Sequence, residues 1–289
     1  MATDFELRVL AEVAYINELN LEYNWESKPL STFPKTCKKI YKNVSTSMHQ
    51  QLDTVLQDWY IVEIYRRSET TVNVGLDAYL FKNRDDFYVF SYRGTNFKST
   101  QFIYDLKENF TFSFSTQINT NKGQFWRAFK FTLACIEKYK INPKMITLTG
   151  HSKGGALASR IGFLYSLGEQ KVLKARTFAP ASTELHYVHF LDQPKPTIDS
   201  INFTLERDRV INILTKVRFF SFLCLFTPYK LFKSENKHAL GKKSLFVLWL
   251  MWTTHPYIGN KHIIKPLQKS LLRHSLILFD DHFDNNGML

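Results

Sequence analysis

Residues 147–162, TLTGHSKGGALASRIG, constrain the fold more than any other stretch of the chain. The β-branched run MITLTG leads directly into Gly150-x-Ser152-x-Gly154, and GGALASRIGFLYSL follows with the pattern of a helix. A strand that turns straight into a helix leaves space only for small side chains two residues before and after the turn, and Gly150 and Gly154 hold those places. Ala156 and Ala158 let the helix pack closely on a sheet. Such a turn presents the Ser152 hydroxyl at the exposed end of the strand and aims the Lys153 amide, at the helix N-terminus, toward a developing oxyanion. The same glycines also fit a packing turn with no chemistry.

The flanking sequence decides between fold classes. FELRVLAEVAYINEL has apolar residues at helical spacing, and MHQQLDTVLQDW is briefly helical after a polar stretch. VNVGLDAYLF and FYVFSYRG, separated by KNRDD, predict a hairpin. KGQFWRAFKFTLACIEKYK predicts a helix ended by Asn142-Pro143, and ARTFAPAS and SINFTLE predict strands on either side of a loop holding Pro194 and Pro196. Strands alternating with helices imply crossover units, so the expected class is α/β: a mostly parallel central sheet flanked by helices. We expect one domain over residues 1–289, with its best-marked core at 75–212 and an apolar cap or insertion at 213–262.

Composition narrows the setting. The chain carries a net charge of +12, with 25 Phe and 14 Tyr, which suits anionic partners. The lysines are scattered and no nucleic-acid-binding motif is present, so nucleic acid is not an expected partner. Three cysteines, Cys37, Cys135 and Cys224, lie far apart without metal-type spacing, which argues against a disulfide scaffold or a zinc site. The first residues, MATDFELRVLAEVAYIN, lack the apolar core of a signal peptide. FFSFLCLFTPYKLF and SLFVLWLMW are each shorter than the roughly 20 residues that span a bilayer as a helix.

TLTGHSKGGALAS resembles the nucleophile region of the class 3 (fungal-type) lipases, a branch of the α/β-hydrolases, whose usual form is TGHSLGGALA. Upstream, FYVFSYRGTNFKSTQFIYDL resembles that family's strand ending in FRGS or RGT and the segment that closes on a DL pattern. Between them, KGQFWRAF resembles its HxGF helix opening, with the histidine replaced. The three matches occur in the family's order. The resemblance implies Ser152 as nucleophile and Thr95 as one oxyanion donor, with the Lys153 amide as the second. Asp105 would support the loop at 96–104, where the family carries its lid. An apolar or amide side chain is usual at Lys153, and since the N–H does the oxyanion work the departure leaves that role open.

A serine hydroxyl needs a base and an orienting acid, in the chain order Ser, Asp, His for this fold class. SINFTLERDRVINIL resembles the family's strand leading to a D-x-V turn, which implies Asp208; Asp199 and Asp192 precede the strand and fit less well. Five histidines follow: His238, His255, His262, His274 and His282. His274, in LLRHSLILF, resembles the family's late histidine. His282 is the next candidate, though flanking Asp280 and Asp281 would suit a solvated surface position, and His255, before Pro256, fits a loop.

These features together point to a serine hydrolase acting on a lipid ester, a lipase or phospholipase, with no metal and no cofactor. The apolar runs, flanked by Lys216, Arg218, Lys230, Lys233, Lys242 and Lys243, suit peripheral contact with an anionic membrane. A membrane-active lipase without a signal peptide would fit an effector secreted by a dedicated machine, and such an effector would have a cognate inhibitor protein. The rival reading is an inactive α/β-hydrolase homologue that binds lipid or a protein.

Overall fold

The computed structural model describes residues 1–16, 28–65, 76–94, 124–169, 173–180, 199–205, 260–264 and 276–289, and the architecture below is that of these residues. Helix α1 (Asp4–Val13) opens on a capping box: Thr3 Oγ accepts from the Glu6 amide while the Glu6 carboxylate accepts from the Thr3 amide. Helices α2 (Pro34–Lys42) and α3 (His49–Asp58) follow, α2 with proline in its first turn, where its missing N–H costs nothing. Strand β1 (Trp59–Ile64) then pairs antiparallel with β2 (Ala78–Asn83), and β2 with β3 (Tyr88–Tyr92). The β2–β3 turn is closed by the Asn83 side chain, which accepts from the amides of Asp85 and Phe87. The hairpin expected from KNRDD is thus present.

From β3 onward the sheet is parallel. Helix α4 (Gln124–Lys138) precedes β4 (Ile146–His151), helix α5 (Lys153–Glu169) precedes β5 (Lys174–Phe178), and β6 (Asp199–Leu205) and β7 (Asn260–Ile264) complete a sheet whose spatial order is the chain order. Four parallel pairings against two antiparallel ones make the mostly parallel α/β sheet that the alternation of elements predicts.

Side-chain alternation divides the core into two layers. Tyr79, Phe81 and Val89 face a cluster with Phe5, Leu7, Leu10, Leu52 and Trp59 of α1, α3 and β1. Ala78, Leu80 and Phe90 face the other way, onto Ala128, Phe131, Leu157 and Ile161 of α4 and α5. The sheet is therefore covered on both faces, which is why β4 is buried along its whole length.

Two boundaries differ from the sequence reading. Trp59, expected to end a helix, begins β1, because helix α3 stops at Asp58. Residues 260–262, at the end of the expected apolar cap, belong to β7 and pair with β6; the rest of that cap lies outside the described residues. No helix among the described residues is long and apolar enough to cross a membrane.

Candidate active site

The turn between β4 and α5 is built as the glycine spacing requires. Ser152 has φ of 56°, the left-handed region that a residue bearing a Cβ enters only at a cost. Its amide donates to the Phe178 carbonyl of β5 at 3.0 Å, and its own carbonyl accepts from Ala156 at 3.2 Å in the first turn of α5. The strained residue is thus held from both sides. A Cβ on Gly150 would meet the Gly154 carbonyl carbon at 2.5 Å, and one on Gly154 would run into the Tyr92 carbonyl oxygen of β3. Both glycines are demanded by backbone approaching backbone.

Lys153 is the first residue of α5, so its amide belongs to the first turn, whose N–H groups have no carbonyl within the helix to bond. Ser152 is 9% exposed and Lys153 3%. The serine therefore sits at the rim of a nearly closed turn with a helix N-terminus beside it. Gly94, the last residue described before Thr95, lies against this turn: a Cβ there would come within 3.2 Å of the Ser152 Cβ. The RGT motif and the nucleophile motif, 58 residues apart in sequence, meet in space.

Arg93 of the same motif is buried and forms an ion pair with Asp77, and its amide donates to the Asp77 carbonyl at 3.0 Å, which fixes the end of β3. Beneath the turn, Asn202 Oδ1 of β6 accepts from Thr177 of β5 at 2.8 Å and from Ser159 of α5 at 3.1 Å. This buried network ties the strands on the far side of β4 to the helix behind the serine. Tyr92, whose hydroxyl meets Thr132 Oγ1 at 2.7 Å, has its pKa pushed well up by complete burial and stays neutral.

The remaining expected residues divide by position. Thr95, Asp105, Asp208, His255 and His274 lie outside the described residues. Asp208 follows the end of β6 by three residues, and β6 runs parallel to β4 with Phe203, Phe178 and His151 in register, so β6 ends at the sheet edge that carries Ser152.

His282 lies among the described residues. It ends the 3-10 helix Leu276–His282, where Asp280 pairs with Arg8 at 2.7 Å and Phe283 packs edge-on to Phe5 at 5.3 Å. Gly287 also accepts the Phe5 amide. These contacts bind the segment to the first half of α1, while its Phe279 packs edge-on to Phe178 of β5 with 5.4 Å between ring centroids. The His282 Nε2 is buried without a hydrogen-bond partner among the described residues. His282 is half-buried beside a wholly buried Asp280 side chain, in place of the solvated surface position its acidic neighbours suggest.

One neighbour of the turn was not anticipated. Tyr15, beyond the end of α1, has its hydroxyl 2.9 Å from His151 Nδ1. In the sequence it reads as one more apolar position of an opening helix, and nothing local marks it. Among the described residues no three His, Cys, Asp or Glu side chains converge as a metal ion would require.

Comparison with known proteins places these features in context. The model of the Mbeg1-like family matches residues 50–173, which is less than half of the chain. No curated protein sequence matches it. Among solved structures it is similar to M37 lipase, at 15% identity, covering 96% of this chain and 90% of that one with a TM-score of 0.46. A lipase from Rhizopus microsporus var. chinensis matches at 16% identity over 73% of this chain and 67% of that one, TM-score 0.46. Lipase II from Rhizopus niveus matches at 14% identity over 74% of each, TM-score 0.43. At such values the likeness is one of broad outline, and the fold assignment rests on the sheet topology given above.

Proposed function

We propose that this chain is a serine hydrolase that cleaves a carboxylic ester of a lipid through an acyl-enzyme. The observation that carries the reading is Ser152 itself: a left-handed residue at a strand-to-helix turn in a parallel sheet, with a helix N-terminus on one side and Gly94 on the other. A backbone strained in this way is retained where the site needs it.

In this reading the Ser152 hydroxyl attacks the ester carbonyl and passes its proton to His274, which Asp208 orients. The resulting oxyanion is met by the amides of Lys153 and Thr95. Collapse expels the alcohol with the proton from His274, and water repeats the cycle to release the fatty acid. Lipid is the proposed substrate class because the apolar runs of 213–262 fall between the proposed acid and base, where they would border the site. Their basic flanks further suggest peripheral contact with an anionic bilayer, and a cognate inhibitor protein belongs to the same proposal if the chain is a delivered effector.

The test is hydrolysis of a short-chain chromogenic ester and of phospholipid vesicles by wild type, Ser152→Ala, Asp208→Asn, His274→Ala and His282→Ala. Loss in Ser152→Ala, Asp208→Asn and His274→Ala, with His282→Ala active, is the expected pattern. Activity that survives Ser152→Ala, or a folded wild type inert toward every ester, removes the proposal in favour of a binding homologue.

A further inference from the structure

Helix α1 ends at the nucleophile. Tyr15 stands two residues beyond Val13, and its hydroxyl approaches His151 twice, at 2.9 Å from Nδ1 and 3.4 Å from the carbonyl oxygen. The two rings are 5.8 Å apart and tilted by 57°. On its other side the phenol oxygen abuts Gly94, because a Cβ there would overlap it. That same imagined atom would fall 2.5 Å from the His151 carbonyl oxygen and 3.2 Å from the Ser152 Cβ. Tyr15, His151, Gly94 and Ser152 therefore share a site with no space for one added methyl group.

This arrangement is more than packing of an apolar helix. Helix α1 itself buries Phe5, Leu7, Val9, Leu10 and Val13 in the core, whereas Tyr15, just past it, sets a polar atom on the residue before the serine. His151 is the last residue of β4, and the strained φ of Ser152 follows it at once. A turn in a sparsely populated conformation keeps its geometry only when its neighbours over-determine it. Displacement of a reacting atom by about 1 Å can cost about a hundredfold in rate.

We propose that Tyr15 is a positioning residue for the reaction at Ser152: its hydroxyl, bonded to the His151 ring and wedged against Gly94, fixes the nucleophile turn relative to the strand end that leads to Thr95. The role rests on Ser152 being the nucleophile, and it holds whichever of the phenol and imidazole carries the shared proton. It joins the N-terminal helix to the chemistry, a link for which no motif in the sequence speaks.

The experiment follows covalent labelling of Ser152 by a fluorophosphonate, together with kcat and KM on a chromogenic ester and thermal melting. It uses wild type, Tyr15→Phe, His151→Leu and the double variant. Loss of the hydroxyl contact should slow labelling by about tenfold in either single variant and lower kcat by a similar factor. KM should stay level, and the melting temperature should move by no more than about 2 °C in Tyr15→Phe. The double variant should be no slower than the slower single one, since both remove one interaction. Labelling of Tyr15→Phe at the wild-type rate, or slowing that only tracks lost stability, overturns the role while leaving Ser152 as nucleophile. A folded wild type that is never labelled at Ser152 removes the hydrolase reading and this role with it.

Discussion

Two buried polar arrangements lie along helix α1, one against its middle turn and one just beyond its C-terminal end, and they are built on different terms. At the middle turn, Arg8 Nε meets Asp280 at 2.7 Å with both side chains wholly buried. A second Arg8 nitrogen donates to the Asn43 carbonyl at 2.5 Å, and the other Asp280 oxygen accepts the Ser45 amide at 2.7 Å. Burial still pushes the Asp280 pKa above its ordinary value, though Arg8 and the Ser45 amide pull the other way. The cluster joins α1, the α2–α3 connection and the C-terminal segment. Beyond the C-terminal end, the Ser152 turn spends backbone strain to present a hydroxyl at the sheet edge. Buried polarity alone therefore does not mark a reactive site. A buried ion pair that joins three segments is a staple, and a small nucleophile on a strained, externally braced turn is the candidate for chemistry.

The sharpest way to break this comparison is to remove one function from each arrangement. Ser152→Ala should lower ester hydrolysis by roughly three orders of magnitude or more while chemical denaturation shows little change in stability. Hydrolysis within tenfold of wild type would erase the distinction between the two. Arg8→Met is the opposite case. It strands the Asp280 carboxylate in the interior and should cost about 3–5 kcal/mol in a urea titration, with kcat per folded molecule unchanged. Adding Asp280→Leu should recover most of that loss, since an apolar pair of similar volume leaves no uncompensated charge. A double variant as unstable as the single one would show that the pair does more than satisfy itself.

How much of this was legible in the sequence follows the range of the forces involved. The nucleophile turn could be read because its demands are local: small residues two positions either side of Ser152, a β-branched run before and a helical pattern after. The β2–β3 hairpin was legible for the same reason, since Asn83 closes its own turn. Strand β1 was obscured by position, as Trp59 directly follows helix α3 and continues its apolar spacing. Strand β7 and the Arg8–Asp280 pair were not legible, because each is defined by a partner remote in the chain: β6 for the strand, and 272 residues for the ion pair. Tyr15 belongs with these. Its importance lies in meeting His151 and Gly94, which no pattern around residue 15 encodes. Asp208 and His274 rest on motif resemblance, and their positions lie outside the described residues.

A third change tests whether the turn is as tightly built as its glycines imply. Gly150→Ala would place a methyl group 2.5 Å from the Gly154 carbonyl carbon, and neither backbone can yield without moving β4 or the start of α5. The expected cost is about 2–3 kcal/mol, as for overpacking elsewhere, with activity falling because the serine moves. A variant of wild-type stability would mean that strand and helix are free to separate there, contrary to the bracing seen from Phe178 and Ala156.

The smallest effect is the most informative about why the strain is there. Glycine enters the left-handed region about as readily as the right-handed one, so Ser152→Gly keeps the turn and removes the steric penalty that serine carries at φ of 56°. Against this, glycine loses more freedom on folding, and the two terms oppose each other. At a position with positive φ the steric term is the larger, so the variant should be more stable than wild type by about 0.5–1 kcal/mol, while having no hydroxyl to react. Asp86, Lys140 and Ala179 also hold positive φ, so what sets Ser152 apart is its hydroxyl at the start of α5 rather than its φ alone. Should Ser152→Gly prove less stable than wild type in the same urea titration, the serine would be contributing to the fold rather than being tolerated by it, and the contrast with the Arg8–Asp280 staple would close.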